Sequence, residues 1–209
     1  MTEFRESSNY RNAELRGCHQ YVLPEIKRLT ADLKPHSRIL DAGCGNGSLT
    51  REFARMGHTV TGIDLSRNGI EIARAQCPEG RFEVLAADRH MLEHLNEPPF
   101  DLVYSVEVIE HLYDPISFLE GCFLATRPGG MFLCSTPYHG YLKNLAISLT
   151  NGWDRHADPL DQGGHIKFFS EKTLTRALRM AGFVKPGFVR SGRTPLLGKS
   201  MIAAATRPA

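Results

Sequence analysis

Glu107, Glu110 and His111 stand at i, i+3 and i+4, a spacing that on a helical turn gathers all three side chains on one face. Two carboxylates and an imidazole so placed suit a divalent cation of the Mg²⁺, Mn²⁺ or Zn²⁺ type. Such an ion would grip a hydroxyl-bearing molecule, lower the hydroxyl's pKa and orient it for attack. The plainer alternative is that Glu107 alone meets a ligand while Glu110 and His111 cap and cover the turn. A second reservoir of titratable side chains runs from Tyr138 to Phe168 and holds His139, Lys143, Asp154, His156, Asp158, Asp161 and His165, with Tyr141 and Trp153 among them. Each histidine alone reads more readily as a satisfied structural residue than as a base. Three of them in one stretch is the notable feature.

A different chemistry is written earlier in the chain, where Asp41-Ala42-Gly43-Cys44-Gly45-Asn46-Gly47 follows an apolar run and leads into Ser48-Leu49-Thr50. Glycines at a strand-to-helix turn let backbone N–H groups approach a ligand closely. A dinucleotide fingerprint would read G-x-G-x-x-G, whereas this loop is Asp-x-Gly-x-Gly-x-Gly. An acid directly ahead of the first glycine repels a pyrophosphate and suits a cationic amine. About twenty residues on, Asp64 ends a second apolar run, the place from which a carboxylate reaches both hydroxyls of a ribose. Asp88 closes a third run, where it would receive an amino group of a base or, equally well, cap the next helix. Together these positions describe a nucleoside carrying an amino-acid tail.

The elements that position these groups follow from hydrophobic patterning. Short apolar runs of buried-strand length cover 38–42, 59–64, 82–87, 100–106 and 131–136, with helical segments at about 47–56, 67–77, 89–96 and 115–126 between them. That alternation predicts βαβ units, hence a parallel sheet with helices on both faces. Further helices are expected at 141–150 and 171–181, and two last strands at 183–190 and 199–206. An amphipathic helix over 14–33 precedes the first strand, with Pro24 marking a kink or a late start. One domain spans 1–209, with residues 1–35 as an N-terminal helical lid, on which Arg11 and Arg16 stand, and 138–168 as an insertion on the ligand edge. The insertion returns at residue 165 to the strand edge that carries Glu107, so His165 is expected to join Glu107, Glu110 and His111 there. Composition agrees with an ordinary soluble globular chain: 209 residues, 42% hydrophobic, with a formal net charge of +2 that disfavours nucleic acid as a partner. No apolar stretch reaches membrane-spanning length, the N-terminus is too polar for a signal peptide, and five scattered cysteines suggest neither disulfides nor a thiolate zinc site. A cytoplasmic setting is expected. Oligomeric state is not written in these features.

DAGCGNG, VTGIDLS, LAAD, FDLVYSVEVIEHL and RPGGMFLCSTP, in this order and spacing, resemble the class I S-adenosylmethionine-dependent methyltransferases. The EVIEH run and the closing KSMIAAATRP are similar to the ubiquinone-biosynthesis O-methyltransferase branch and its small-molecule relatives. The resemblance implies a Rossmann-like seven-stranded α/β sheet, mostly parallel, whose last strand is antiparallel. It implies S-adenosylmethionine as cofactor, with Asp41, Gly43 and Gly45 at the methionine part, Asp64 at the ribose, Leu65 on an adenine face and Asp88 at the adenine edge. Val106 would meet the methionine amine through its carbonyl. Related small-molecule enzymes also carry a G-H-x-x-F-F/W-S segment, matched here by Gly164–Ser170, which favours His165 as general base beside His111 and Glu107. The reaction implied is methylation of a hydroxyl on a small molecule. N- or C-methylation of a sugar, nucleoside or other metabolite, and cofactor binding without catalysis, stand as alternatives.

Overall fold

The structure is a computed structural model that describes residues 10, 12, 14, 17–158, 160–161, 164–192 and 198–209. Its strands are β1 (Arg38–Ala42), β2 (Thr59–Asp64), β3 (Arg81–Val84), β4 (Phe100–Val106), β5 (Thr126–Pro137), β6 (Val184–Ser191) and β7 (Ser200–Thr206). They form one sheet in the order β3-β2-β1-β4-β5-β7-β6. The first five strands run parallel, and β7 lies antiparallel to both β5 and β6. The order reverses between β1 and β4, the switch point outside whose carboxyl ends open α/β sheets bind ligands.

The helices are α1 (His19–Leu29), α2 (Ser48–Arg55), α3 (Arg67–Gln76), α4 (Met91–Leu95), α5 (Pro115–Ala125), α6 (Tyr141–Leu149), α7 (Trp153–His156) and α8 (Glu171–Met180). One apolar layer packs α5 and α8 on the sheet through Leu119, Leu174, Leu178 and Phe132, and the other packs α1, α2 and α3 through Ile26, Phe53, Ile70 and Ile39. Both faces are covered, which is why the central strands are continuous apolar runs rather than alternating ones.

Several boundaries depart from the expectations above. β3 stops at Val84, and 85–87 leave the ladder once the Leu85 amide has bonded to the Asp64 carbonyl. β5 begins at Thr126 rather than 131, because a register shift between Phe100 and Leu102 lets Thr126 pair early. Pro24 lies inside α1, and the helix starts only at His19. Arg11, Arg16 and part of the proposed N-terminal lid lie outside the described residues. Glu107, Glu110 and His111 do not share one helical turn. Glu107 has a left-handed φ of 54° directly after β4, and a 3-10 turn, Ile109–His111, follows.

Candidate active site

At the end of β1 the loop is built from backbone bonds to β2. The amides of Gly43 and Cys44 both donate to the Ile63 carbonyl at 2.8 and 2.9 Å. The Gly45 amide donates to Asp64 Oδ2 at 2.8 Å, and the Ser66 amide to Asp64 Oδ1 at 2.8 Å. Gly43 and Gly45 have φ of 91° and 54°, a backbone that L side chains rarely adopt. A Cβ at Gly43 would collide with Val108, and one at Gly45 with the ring and hydroxyl of Tyr10. Tyr10 thus lies over the loop, and the buried Asn46 amide donates to the carbonyls of Asn12 at 2.8 Å and Glu14 at 3.1 Å.

Asp41 lies beneath this loop. Its Oδ2 accepts from Thr50 Oγ1 and from the Tyr104 hydroxyl, each at 2.6 Å. Burial pushes its pKa up to about 7, against the pull of those two hydrogen bonds. Its influence on an amine above the loop would act through charge rather than contact. Leu65 is 62% exposed on the rim, open to a flat ring. Asp88 accepts the His90 amide at 2.8 Å in a turn ahead of α4, whose N-cap is His90 rather than Asp88. Val106 is buried and pairs in register with Ser135.

Beyond β4 the chain turns sharply at Glu107, whose Oε1 accepts from Ser135 Oγ at 2.9 Å. Burial raises its pKa, with Ser135, Ser200 and Lys143 opposing. Glu110 is wholly buried, and neither carboxyl oxygen has a hydrogen-bond partner among the described residues. Burial and the neighbouring Glu107 push its pKa up to about 8; the Thr136 hydroxyl tempers the rise without making a geometrically sound bond. His111 Nε2 and His165 Nε2 each stand 4.0 Å from Glu110 Oε1, and the two imidazoles meet edge to face at 4.9 Å. Donor atoms of Glu110, His111 and His165 lie within 4.8 Å of one another, a set with the chemistry of a cation site. Glu107, expected as a fourth member, stands outside that set with its carboxylate engaged by Ser135. The insertion is fastened here too, since the Glu110 carbonyl accepts the amides of Ile166 and Lys167, both at 3.0 Å.

Over this edge α7 and the two ends of the insertion bring rings together. His139 meets Phe168 at 4.8 Å and His156 at 5.3 Å, while Trp153 lies 6.0 Å from His156. Burial is the leading cause that lowers the pKa of His139, to about 4, and those of His156 and His165. Tyr10, Asn46, Thr136 and Ser135 were not singled out from sequence. Their neighbours are remote in the chain, and only Asn46, inside the glycine loop, carried any local signal.

The family model described as a methyltransferase domain matches residues 11–185, and the chain belongs to that family. It is similar to the ubiquinone biosynthesis O-methyltransferase of Dinoroseobacter shibae, 35% identical over 149 residues, which cover 69% of this chain and 59% of that protein. The enzyme of the same name from Aromatoleum aromaticum is 32% identical over 163 residues, 76% of this chain and 69% of the relative. The chain therefore spans between about three fifths and seven tenths of these curated relatives. Among solved structures, the [4+2]-cyclase SpnF superposes with a TM-score of 0.68 at 16% identity, over 90% of this chain and 81% of that one. That likeness establishes the fold.

Proposed function

We propose that this chain transfers a methyl group from S-adenosylmethionine to a hydroxyl of a small-molecule acceptor. The observation that carries the reading is the wholly buried, unpartnered Glu110 carboxyl, flanked by two imidazoles on the strand edge next to the glycine loop. An orphaned buried carboxyl is costly unless a ligand completes it. Family membership and the two O-methyltransferase relatives support the same chemistry.

The residues fit the cofactor: the left-handed glycines leave room where a Cβ would intrude, and Asp64 stands at the end of β2. S-adenosylmethionine supplies an electrophilic methyl on sulfur. Gly43 and Gly45 would bring backbone to its methionine part, with Asp41 behind them, Asp64 would hold the ribose, Leu65 and Asp88 would flank the adenine, and the Val106 carbonyl would meet the amine. In-line displacement then requires alignment and removal of one proton. His165, whose protonation burial disfavours, would accept the acceptor's proton, with His111 edge to face against it and Glu107 at the end of β4 as a further carboxylate. Glu110, His111 and His165 also fit a divalent cation, with Glu107 as an adjacent carboxylate; Mg²⁺, Mn²⁺ or Zn²⁺ would lower the hydroxyl's pKa there. Residues 138–168 and the segment through Asn12 and Glu14 act as lids over the two ligands. All five cysteines are free thiols, which supports a reducing, cytoplasmic setting, and no helix among the described residues is long and apolar enough to cross a membrane.

The test is to titrate S-adenosylmethionine by calorimetry and then to follow S-adenosylhomocysteine release with a panel of hydroxyl, amine and carbon acceptors, with and without chelator. Turnover on hydroxyl acceptors is expected. Binding without turnover on any acceptor would favour a cofactor-binding role alone, and turnover confined to amines would move the reaction to nitrogen.

A further inference from the structure

The sheet has one margin that the candidate active site does not use. β6 is its outer strand, paired with β7 on one side, and among the described residues its other edge meets no strand. The two ends of that edge are closed off. At the start, a register shift between Val184 and Gly187, a left-handed Lys185 with φ of 51° and Pro186, which has no N–H, interrupt the ladder in the way edge strands discourage pairing. At the finish the Ser191 hydroxyl donates to the Tyr21 carbonyl of α1. Between them, residues 187–190 pair with 201–204 in unbroken register and leave a short row of main-chain groups open on the outer side.

Alongside this edge α8 and β6 enclose a groove whose lining includes Lys172, Arg176, Arg179, Met180, Pro186 and Phe188. Lys172, Arg176 and Arg179 stand at i, i+4 and i+7 of α8, on the face opposite the buried Leu174, Ala177 and Leu178. All three are exposed, and among the described residues none has a carboxylate within 4.0 Å. The groove's one acid, Glu171, is already paired with Arg190 at 2.8 Å. Residues 171–191 hold five cations and that single carboxylate, a net of +4 in a chain whose total is +2. Met180, 60% exposed, adds an apolar surface at the end of the stripe.

These features select the occupant. A groove of one charge repels its own copy, so pairing of two β6 edges is disfavoured and the partner must be acidic. A concave face beside open main-chain donors and acceptors suits a polypeptide, because neither a lipid surface nor a nucleic acid carries a matching backbone row. The spacing agrees. Along a helix, positions 172, 176 and 179 are separated by rises of about 6 and 4.5 Å, and alternate side chains of an extended chain stand about 6.6 Å apart. We propose that the groove between α8 and β6 docks an acidic, extended segment of a partner protein, which adds a short strand to residues 187–190 and turns carboxylates at alternate positions toward Lys172, Arg176 and Arg179. This docking goes beyond the methyl-transfer reading and needs neither its cofactor nor its acceptor.

The probe is a fluorescein-labelled peptide of about eight residues alternating glutamate and threonine, titrated with the full chain by anisotropy at about 0.15 M salt. Three relatives control it: the same residues in block order, glutamine in place of glutamate, and the alternating peptide with its threonine or glutamate amides N-methylated. The alternating peptide is expected to bind about 10-fold tighter than the block and glutamine forms, the combined worth of three exposed charge pairs in register. N-methylation should weaken it in at least one of the two patterns, and hydrogen exchange should slow at residues 187–190 when the peptide is bound. Arg176→Gln with Arg179→Gln should lose about the same 10-fold at an unchanged Tm, whereas Arg28→Gln with Arg55→Gln, an equal change of charge elsewhere, should lose little. Equal binding of the block-order peptide, indifference to both N-methylation patterns, or unaltered exchange at 187–190 would overturn the proposal. Binding of phosphatidylglycerol vesicles or oligouridylate in preference to the peptide would give the groove to a lipid surface or a nucleic acid and overturn it too, as would binding of no probe at all.

Discussion

The two halves of the candidate site are built by different means. The cofactor half, around the ends of β1 and β2, is a closed set of short-range bonds: Gly43, Cys44 and Gly45 donate to Ile63 and Asp64, and Ser66 donates back to Asp64. The acceptor half, around Glu107, Glu110, His111 and the insertion, is drawn from segments more than fifty residues apart, and its key carboxyl has no partner among the described residues. A loop whose amides are already met by the end of the neighbouring strand is a preformed cradle. A cluster of unsatisfied side chains is a demand that only a ligand or an ion meets.

The largest expected effect breaks the acceptor half and spares the other. His165→Ala should lower turnover by about 10²- to 10⁴-fold, the range for a lost general base, while calorimetry shows unchanged S-adenosylmethionine affinity. If a cation occupies the cluster, chelator should do the same to the native protein and added Mg²⁺, Mn²⁺ or Zn²⁺ should reverse it. Chelator-resistant turnover together with a near-normal His165→Ala would leave alignment alone as the mechanism. The converse variant is Asp64→Ala, which should weaken cofactor binding by about 1.5 to 3 kcal/mol, the worth of hydrogen bonds to a charged group. An unchanged affinity would remove Asp64 from the ribose.

A third measurement sharpens the contrast through pH. Asp41 is raised by burial to about 7 in the folded protein, so between its ordinary unfolded value and pH 7 the folded state holds a proton that the unfolded state has released. Stability contributed by the protonated Asp41 is therefore full at low pH and lost as pH climbs through that window. Asp41→Asn should flatten this part of the Tm–pH curve, and an unaltered slope would assign it to other groups. The smallest effect concerns the strap: Asn46→Ala removes two bonds to the carbonyls of Asn12 and Glu14 and should cost about 1 kcal/mol in unfolding free energy. Chemical denaturation resolves a difference of that size.

The same contrast explains what could be read from residues alone. The strand–helix alternation, the sheet type and the glycine loop are local in the chain, so apolar runs and three glycines at fixed spacing reveal them. β3 was overestimated because Leu85-Ala86-Ala87 is apolar yet leaves the ladder, a tertiary outcome with no local mark. Glu107, Glu110 and His111 were legible as a group, but their i, i+3, i+4 spacing suggested a helical turn, whereas the left-handed Glu107 and a 3-10 turn deliver Glu110 inward and His111 outward. Tyr10 over Gly45 and His165 against His111 depend on contacts between distant segments, and no periodicity announces those.

The reversed direction of β7 has a practical side. Because it runs against β5, its first residue pairs with Pro137 on the ligand edge and its last pairs with Met131, toward the opposite rim. There the Arg207 guanidinium donates to the carbonyls of Phe123, Leu124 and Thr126 at 2.9 to 3.0 Å, pinning the chain's final turn to the end of α5. A fluorophore or affinity handle fixed on the exposed residues of this rim would stand at the opposite end of the strands from both ligands. Immobilised assays and distance measurements on this protein are therefore best anchored there.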